Sequence, residues 1–171
     1  MIDVKFKKLI PEAVIPTKAH PTDVGFDLTA TKVSITEDYV EYETGIALQL
    51  PPGYFAIITP RSSNSKKDLL LANSIGVIDN SYIGELKFRY KRILMPVTQR
   101  VMIASPTGDP VQDAINTQEV SGLTYRADYI YKVGERVGQL IILPYPEINL
   151  IETQELYETD RGDGGFGSSG A

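Results

Sequence analysis

The chain has 171 residues, enough for one domain that buries a core without staples. Its 17 Lys and Arg against 22 Asp and Glu leave a formal charge of −5, so it lacks the basic footprint that general binding to nucleic acid or anionic membrane needs. It has no Cys and a single His, His20, which removes disulfides, thiolate nucleophiles and zinc–thiolate sites and leaves a His-rich metal site without ligands.

Period two dominates the chain. Ile2, Val4 and Phe6 alternate with Asp3, Lys5 and Lys7, which predicts a half-buried strand with no signal-peptide or membrane-span character. A turn at Gly25 leads into a strand in which Asp27 points away from Phe26 and Leu28. Ile46, Leu48 and Leu50 alternate with Ala47 and Gln49, and a further strand, 53–59, ends at Pro60. A short helix is predicted over about Ser65 to Leu71. Residues 72–85 read as a β-hairpin, with Gly76 and Gly84 symmetric about Asn80. Leu86, Phe88 and Tyr90 alternate with Lys87, Arg89 and Lys91. A second helix is predicted within 109–121, capped by Asp109, opened by Pro110 and stopped by Gly122. Residues 134–142 read as a core strand with one polar residue, Gln139, amid apolar neighbours. The Gly-rich stretch 161–171 has almost no apolar surface and cannot pack a core. Many short strands punctuated by Gly and Pro predict an all-β, jelly-roll-like barrel. The absence of disulfides fits a cytoplasmic setting.

Five stretches carry residue types suited to chemistry. Asp27 could face a metal or metal-bound water, because Mg²⁺ takes oxygen ligands and keeps several waters; a plain turn and strand accounts for the same residues. Arg61, Ser62 and Ser63 form a candidate anion site, with a capping Ser cluster as the plainer reading. In the predicted hairpin, Gly76, Val77 and Ile78 would let a flat ring approach their peptide groups, with Asp79 at the tip and Tyr82 across the turn; a plain hairpin reads the same way. Gln139 either satisfies the fold or reaches a ligand. In the tail, Arg161, Phe166, Gly167, Ser168 and Ser169 combine phosphate-binding backbone with a ring that can stack on a base. A loose terminus is the default there, and the pattern is no Walker A loop.

Taken together, Asp23–Leu28, Pro60–Ser63, Asn73–Asp79 with Tyr82–Glu85, Gly134–Gln139 and Arg161–Gly170 resemble the five ordered motifs of the homotrimeric dUTPase family. The resemblance implies a jelly-roll β domain over 1–160 and a flexible tail, 161–171, that closes an active site shared among the subunits of a homotrimer. It implies hydrolysis of dUTP to dUMP and pyrophosphate with Mg²⁺. Carried over by position, Asp79 is the general base; Asn73 and the backbone of Gly76, Val77 and Ile78 read uracil; Tyr82 packs under the deoxyribose. Ser62, Ser63 and Gln139 contact phosphate and Arg61 supports them. Arg161, Phe166, Gly167, Ser168 and Ser169 bind the terminal phosphate and stack on the base. Asp27 holds waters on the metal.

The chain departs from the family pattern in places. Gly138 stands where Ala is usual and Asp68 where Gly is common, both beside the residues carried over. Residues 93–131 contain an insert, for which a protein-binding lobe and a plain surface excursion are the two readings. One rival is a dCTP deaminase-like enzyme, which needs a carboxylate on the strand Leu86–Arg92 where this chain has none. Another is a regulatory protein switched by nucleotide. His20 is assigned no role.

Overall fold

The computed structural model describes residues 2–102, 117–124 and 126–164. Within them the strands are β1 (Lys5–Lys8), β2 (Phe26–Thr29), β3 (Lys32–Ile35), β4 (Val40–Gln49), β5 (Tyr54–Thr59) and β6 (Leu69–Leu71). They continue with β7 (Gly76–Ile78), β8 (Glu85–Arg92), β9 (Met95–Met102), β10 (Thr117–Thr124) and β11 (Arg136–Pro144). The helical content described is two 3₁₀ turns, Ser62–Lys66 and Ala127–Tyr129.

One sheet has five strands: β1 and β3 pair with one edge of β4, and β8 then β6 follow on the other. The second runs β2–β11–β5–β7. Every pairing is antiparallel, and the two sheets close over a common core in a jelly-roll-type sandwich. Leu28, Val40, Tyr42, Ile46, Phe88, Tyr90 and Val137 are fully enclosed there. The Tyr90 hydroxyl spans the core to donate to the Val137 carbonyl at 2.6 Å, and the Tyr42 hydroxyl accepts the Tyr131 N–H at 3.1 Å. Burial holds both phenols above the ordinary tyrosine pKa.

β4 organises its sheet. Val40, Tyr42 and Thr44 turn inward, then Gly45 adopts φ +66 and the register to β8 shifts between Glu43 and Ala47. A side chain at Gly45 would collide with Ile10 and Ala13, so glycine is needed for space as well as for φ. Beyond this irregularity Ile46 and Leu48 are buried as expected, and so is Ala47. Its short side chain is sheltered between longer cross-strand neighbours, Lys7 on β1 and Glu85 on β8.

Other expectations need correction. The first strand is shorter than its alternation suggests and only partly covered by its own chain: Val4 packs against the core, while Ile2 and Phe6 are exposed. The helix expected from Ser65 to Leu71 is a 3₁₀ turn ending at Lys66 followed by β6, whose Leu69 and Leu71 are buried while Leu70 is exposed. Period two wins over helix propensity because Asp68 passes the chain directly onto the edge of β8. The helix expected within 109–121 fails where it is described, since 117–124 is strand β10; residues 109–116 lie outside the described residues. Residues 72–85 are no hairpin. β7 pairs with β5, while the chain beyond Tyr82 crosses to the other sheet as β8. The turn itself is present, with the Tyr82 N–H donating to the Asp79 carbonyl at 3.0 Å.

Strands β9 and β10 pair with each other, in register from Met95↔Thr124 to Met102↔Thr117, and form a separate two-stranded arm. After β11 the chain is anchored by Tyr145, whose N–H donates to the Gly53 carbonyl at 2.9 Å and whose ring meets Phe55 edge-on. Beyond it Ile148, Leu150, Ile151, Leu156 and Tyr157 are all exposed. Among the described residues no helix is long and apolar enough to cross a membrane.

Candidate active site

The first half of the site is a cavity of about 530 Å³ beside β7. Asn73, Gly76, Val77, Ile78, Asp79 and Tyr82 all line it. β7 is the outermost strand of its sheet, so among the described residues the backbone edge away from β5 has no ladder partner. An edge of that kind offers alternating donors and acceptors to a flat polar ring. Gly76 is required by close approach: a side chain there would run into Ile58 on β5. Asp79 is exposed at the end of β7, and no described side chain pairs with its carboxylate. Tyr82 is tied down, its hydroxyl donating to the Glu85 carbonyl at 2.9 Å, with its ring over Gly84 where a Cβ would clash.

The far wall of the cavity is charged. Glu41, Glu85, Lys87 and Arg89 face it from β4 and β8. Arg89 donates to Glu41 at 2.7 Å, and Lys87 lies between Glu41, Glu43 and Glu85 at 3.3 to 3.5 Å. The Arg89 guanidinium holds the Glu41 carboxyl below the ordinary glutamate range, and Lys32 does the same for Glu43. Glu85 also accepts the Gly45 N–H at 2.7 Å, so it is engaged in the fold.

The second half is built around Asp27. On β2 it faces Gln139 of β11, which in turn faces Thr59 of β5. This register delivers Arg61, two residues beyond β5, to the same carboxylate. Arg61 Nε donates to Asp27 Oδ1 at 2.7 Å, Arg136 Nη1 to Oδ2 at 2.9 Å and Gln139 Nε2 to Oδ1 at 3.3 Å. Arg61 Nη1 also donates to Ser63 Oγ at 3.2 Å. Ser62 stands exposed at the start of the 3₁₀ turn. Arg136 escaped the sequence reading although it lies three places before Gln139; its proximity depends on the register shift between Arg136 and Gly138. The same shift brings Gly138 against the Phe88 ring, which leaves no room for an alanine methyl.

The structure thus gathers the predicted residues into two groups and does not join them. None of Asp27, Arg61, Ser62, Ser63 or Gln139 lines the cavity that contains Asp79. Arg161 belongs to neither; its Nε donates to the Gly164 carbonyl at 3.0 Å within its own turn. Phe166, Gly167, Ser168 and Ser169 lie outside the described residues. His20 sits in an exposed turn with Asp23, away from both groups.

The dUTPase family model matches residues 11–101 and 120–170, leaving out part of the stretch around the arm. Among curated proteins, a deoxyuridine 5'-triphosphate nucleotidohydrolase of Gloeobacter violaceus is 32% identical over 99% of this chain and 97% of its own length. The enzyme of that name from Escherichia phage T5 is 35% identical over 75% of this chain and 67% of its own. Among solved structures, the Staphylococcus bacteriophage 80alpha dUTPase with dUPNHPP superposes with a TM-score of 0.74 at 27% identity, covering all of both chains. A family match of this extent makes the chain a member of the dUTPase family.

Proposed function

We propose that the protein hydrolyses dUTP to dUMP and pyrophosphate, with Asp79 as the general base for a water that attacks the α-phosphorus. The observation that carries this reading is the gathering of Asn73, Gly76–Ile78, Asp79 and Tyr82 on one cavity. An exposed carboxylate without a competing cation is free to accept the water's proton, help typically worth about 10²–10⁴-fold. Uracil is read by Asn73 and the open edge of β7. A thymine methyl would press on the backbone around Gly76, and a ribose 2′-hydroxyl would meet Tyr82. Cytosine would leave buried polar groups unpaired, which can discriminate by about 10⁴ or more.

The phosphates fall to Ser62, Ser63, Gln139 and Arg61, and in the tail to Arg161, Gly167, Ser168 and Ser169, with Phe166 stacking on the base. Because Arg61, Ser62, Ser63 and Gln139 do not line the Asp79 cavity of their own chain, the working site is assembled between chains of a homotrimer. Two features support assembly: the partly uncovered apolar face of β1 and the exposed apolar residues after Tyr145. Among the described residues no group of His, Asp or Glu forms a metal cage. Asp27 already faces two guanidinium groups, so it suits a cation only through water. Mg²⁺ would therefore ride chiefly on the triphosphate oxygens and neutralise their charge. A cytoplasmic setting goes with this reading.

The direct test is pyrophosphate release with Mg²⁺ on dUTP, dCTP, dTTP and UTP. Strong preference for dUTP is expected. Release of ammonia from dCTP would replace the proposal with deamination. A second role, binding of a protein partner by the arm within 93–131, rests on the arm's separation from both sheets. Deleting the arm without effect on partner capture would remove it.

A further inference from the structure

The arm leaves the core beside Ile93 and returns at Arg126, and both roots meet one residue, Asp68. The Ile93 N–H donates to the Asp68 carbonyl at 2.8 Å, and the Asp68 N–H donates to the Tyr129 carbonyl at 3.0 Å. Arg126 Nε and Nη2 each donate to a separate Asp68 carboxylate oxygen at 2.6 Å. The same guanidinium lies over the Tyr129 ring, 3.7 Å from its centroid. Asp68 is buried while Arg126 is about half exposed. A two-pronged guanidinium–carboxylate contact fixes orientation as well as distance.

Asp68 lies two places beyond the 3₁₀ turn Ser62–Lys66, and the intervening contacts run to the same returning segment. Lys67 Nζ donates to the Ile130 carbonyl at 3.1 Å and faces Glu135 at 3.4 Å. The Tyr131 hydroxyl donates to Asn64 Oδ1 at 3.1 Å, while Asn64 Nδ2 donates to the Leu69 carbonyl at 2.8 Å. The far end of the turn is therefore held by residues 126–135, and its near end carries Ser62 and Ser63.

We propose that Asp68 is a positioning residue: by gripping Arg126 and both roots of the arm, it fixes the Ser62–Lys66 turn where its hydroxyls receive the triphosphate. The kinetic consequence rests on the dUTP-hydrolase reading; the structural one does not. The bonds to Ile93 and Tyr129 use the backbone of Asp68, so the part of the grip that depends on its side chain is the one on Arg126. The grip also ties the arm's position to substrate binding.

The test compares Arg126→Ala and Arg126→Lys in the full chain by steady-state pyrophosphate release and by peptide-resolved hydrogen exchange. Arg126→Ala is expected to raise KM for dUTP by about tenfold with kcat changed less than about twofold, and Arg126→Lys, which keeps the charge but not the fork, to restore only part of the loss. Exchange across residues 61–69 should quicken together with that of Ile93. Asp68→Asn, nearly the same shape, serves if the Ala variant does not fold. Quickened exchange at Ile93 alone, with KM and residues 61–67 unchanged, would overturn the proposal. So would a lowered melting temperature of Arg126→Ala with KM unchanged. If the wild-type protein turns over no dUTP, the functional reading fails, and exchange across 61–69 alone decides: quickened supports the grip, unchanged overturns it.

Discussion

Arg61 and Asp27 meet at 2.7 Å and join the end of β5 to β2 through one buried carboxylate. Arg136 shares the same carboxylate from β11, so three strands of one sheet converge on a single charge.

Removing that charge strands two cations. Asp27→Ala is expected to cost about 3 kcal/mol, the low end for a broken buried pair because Arg136 is half exposed. Denaturant unfolding measures it. An unchanged midpoint, with only the Mg²⁺ dependence of turnover altered, would assign Asp27 to the metal rather than to the fold.

Asp79 should behave oppositely. Its carboxylate is exposed and unpaired among the described residues, so Asp79→Asn should leave the melting temperature within experimental error. Turnover of dUTP should fall by about 10²–10⁴-fold. A loss of less than tenfold would require a different base.

Gly138→Ala drives a methyl into Phe88, which is fully enclosed and cannot retreat. A loss of about 1–3 kcal/mol is expected from this overpacking. Combining it with Phe88→Leu should recover part of the loss, and an additive double mutant would refute the contact.

Tyr42 and Tyr90 set the alkaline limit. Burial raises both above the ordinary value of 10.0, so they favour the folded state fully below that pH, and the contribution is lost as pH rises past it. Absorbance titration should show their phenolates appearing only with unfolding.

Much of this was legible in the residues. Leu86, Phe88 and Tyr90 alternate because β8 has one face in the core and one outside, and that asymmetry is local. The misread hairpin shows where local signals end. Gly76 and Gly84 look symmetric, yet β7 is claimed by β5, a partner some twenty residues earlier, and pairing at that distance leaves no local trace. Leu69 to Leu71 looked helical because three leucines fit either period; the neighbouring edge of β8 decided it. Motif order named most of the candidate site, but the separation of Asp79 from Arg61 is a matter of three-dimensional placement. Asp68 looked incidental because its partner, Arg126, stands 58 positions away.

The split between the Asp79 cavity and the Asp27 cluster has a genetic consequence. If each working site borrows one half from a neighbouring chain, two dead proteins can rescue each other. Asp79→Asn lacks the base but keeps its phosphate half, and a Gln139→Ala chain has the reverse defect. Mixed at random in equal amounts, such chains would leave about one site in four with both halves intact. A damaged copy of this protein would then be partly recessive to a copy damaged elsewhere.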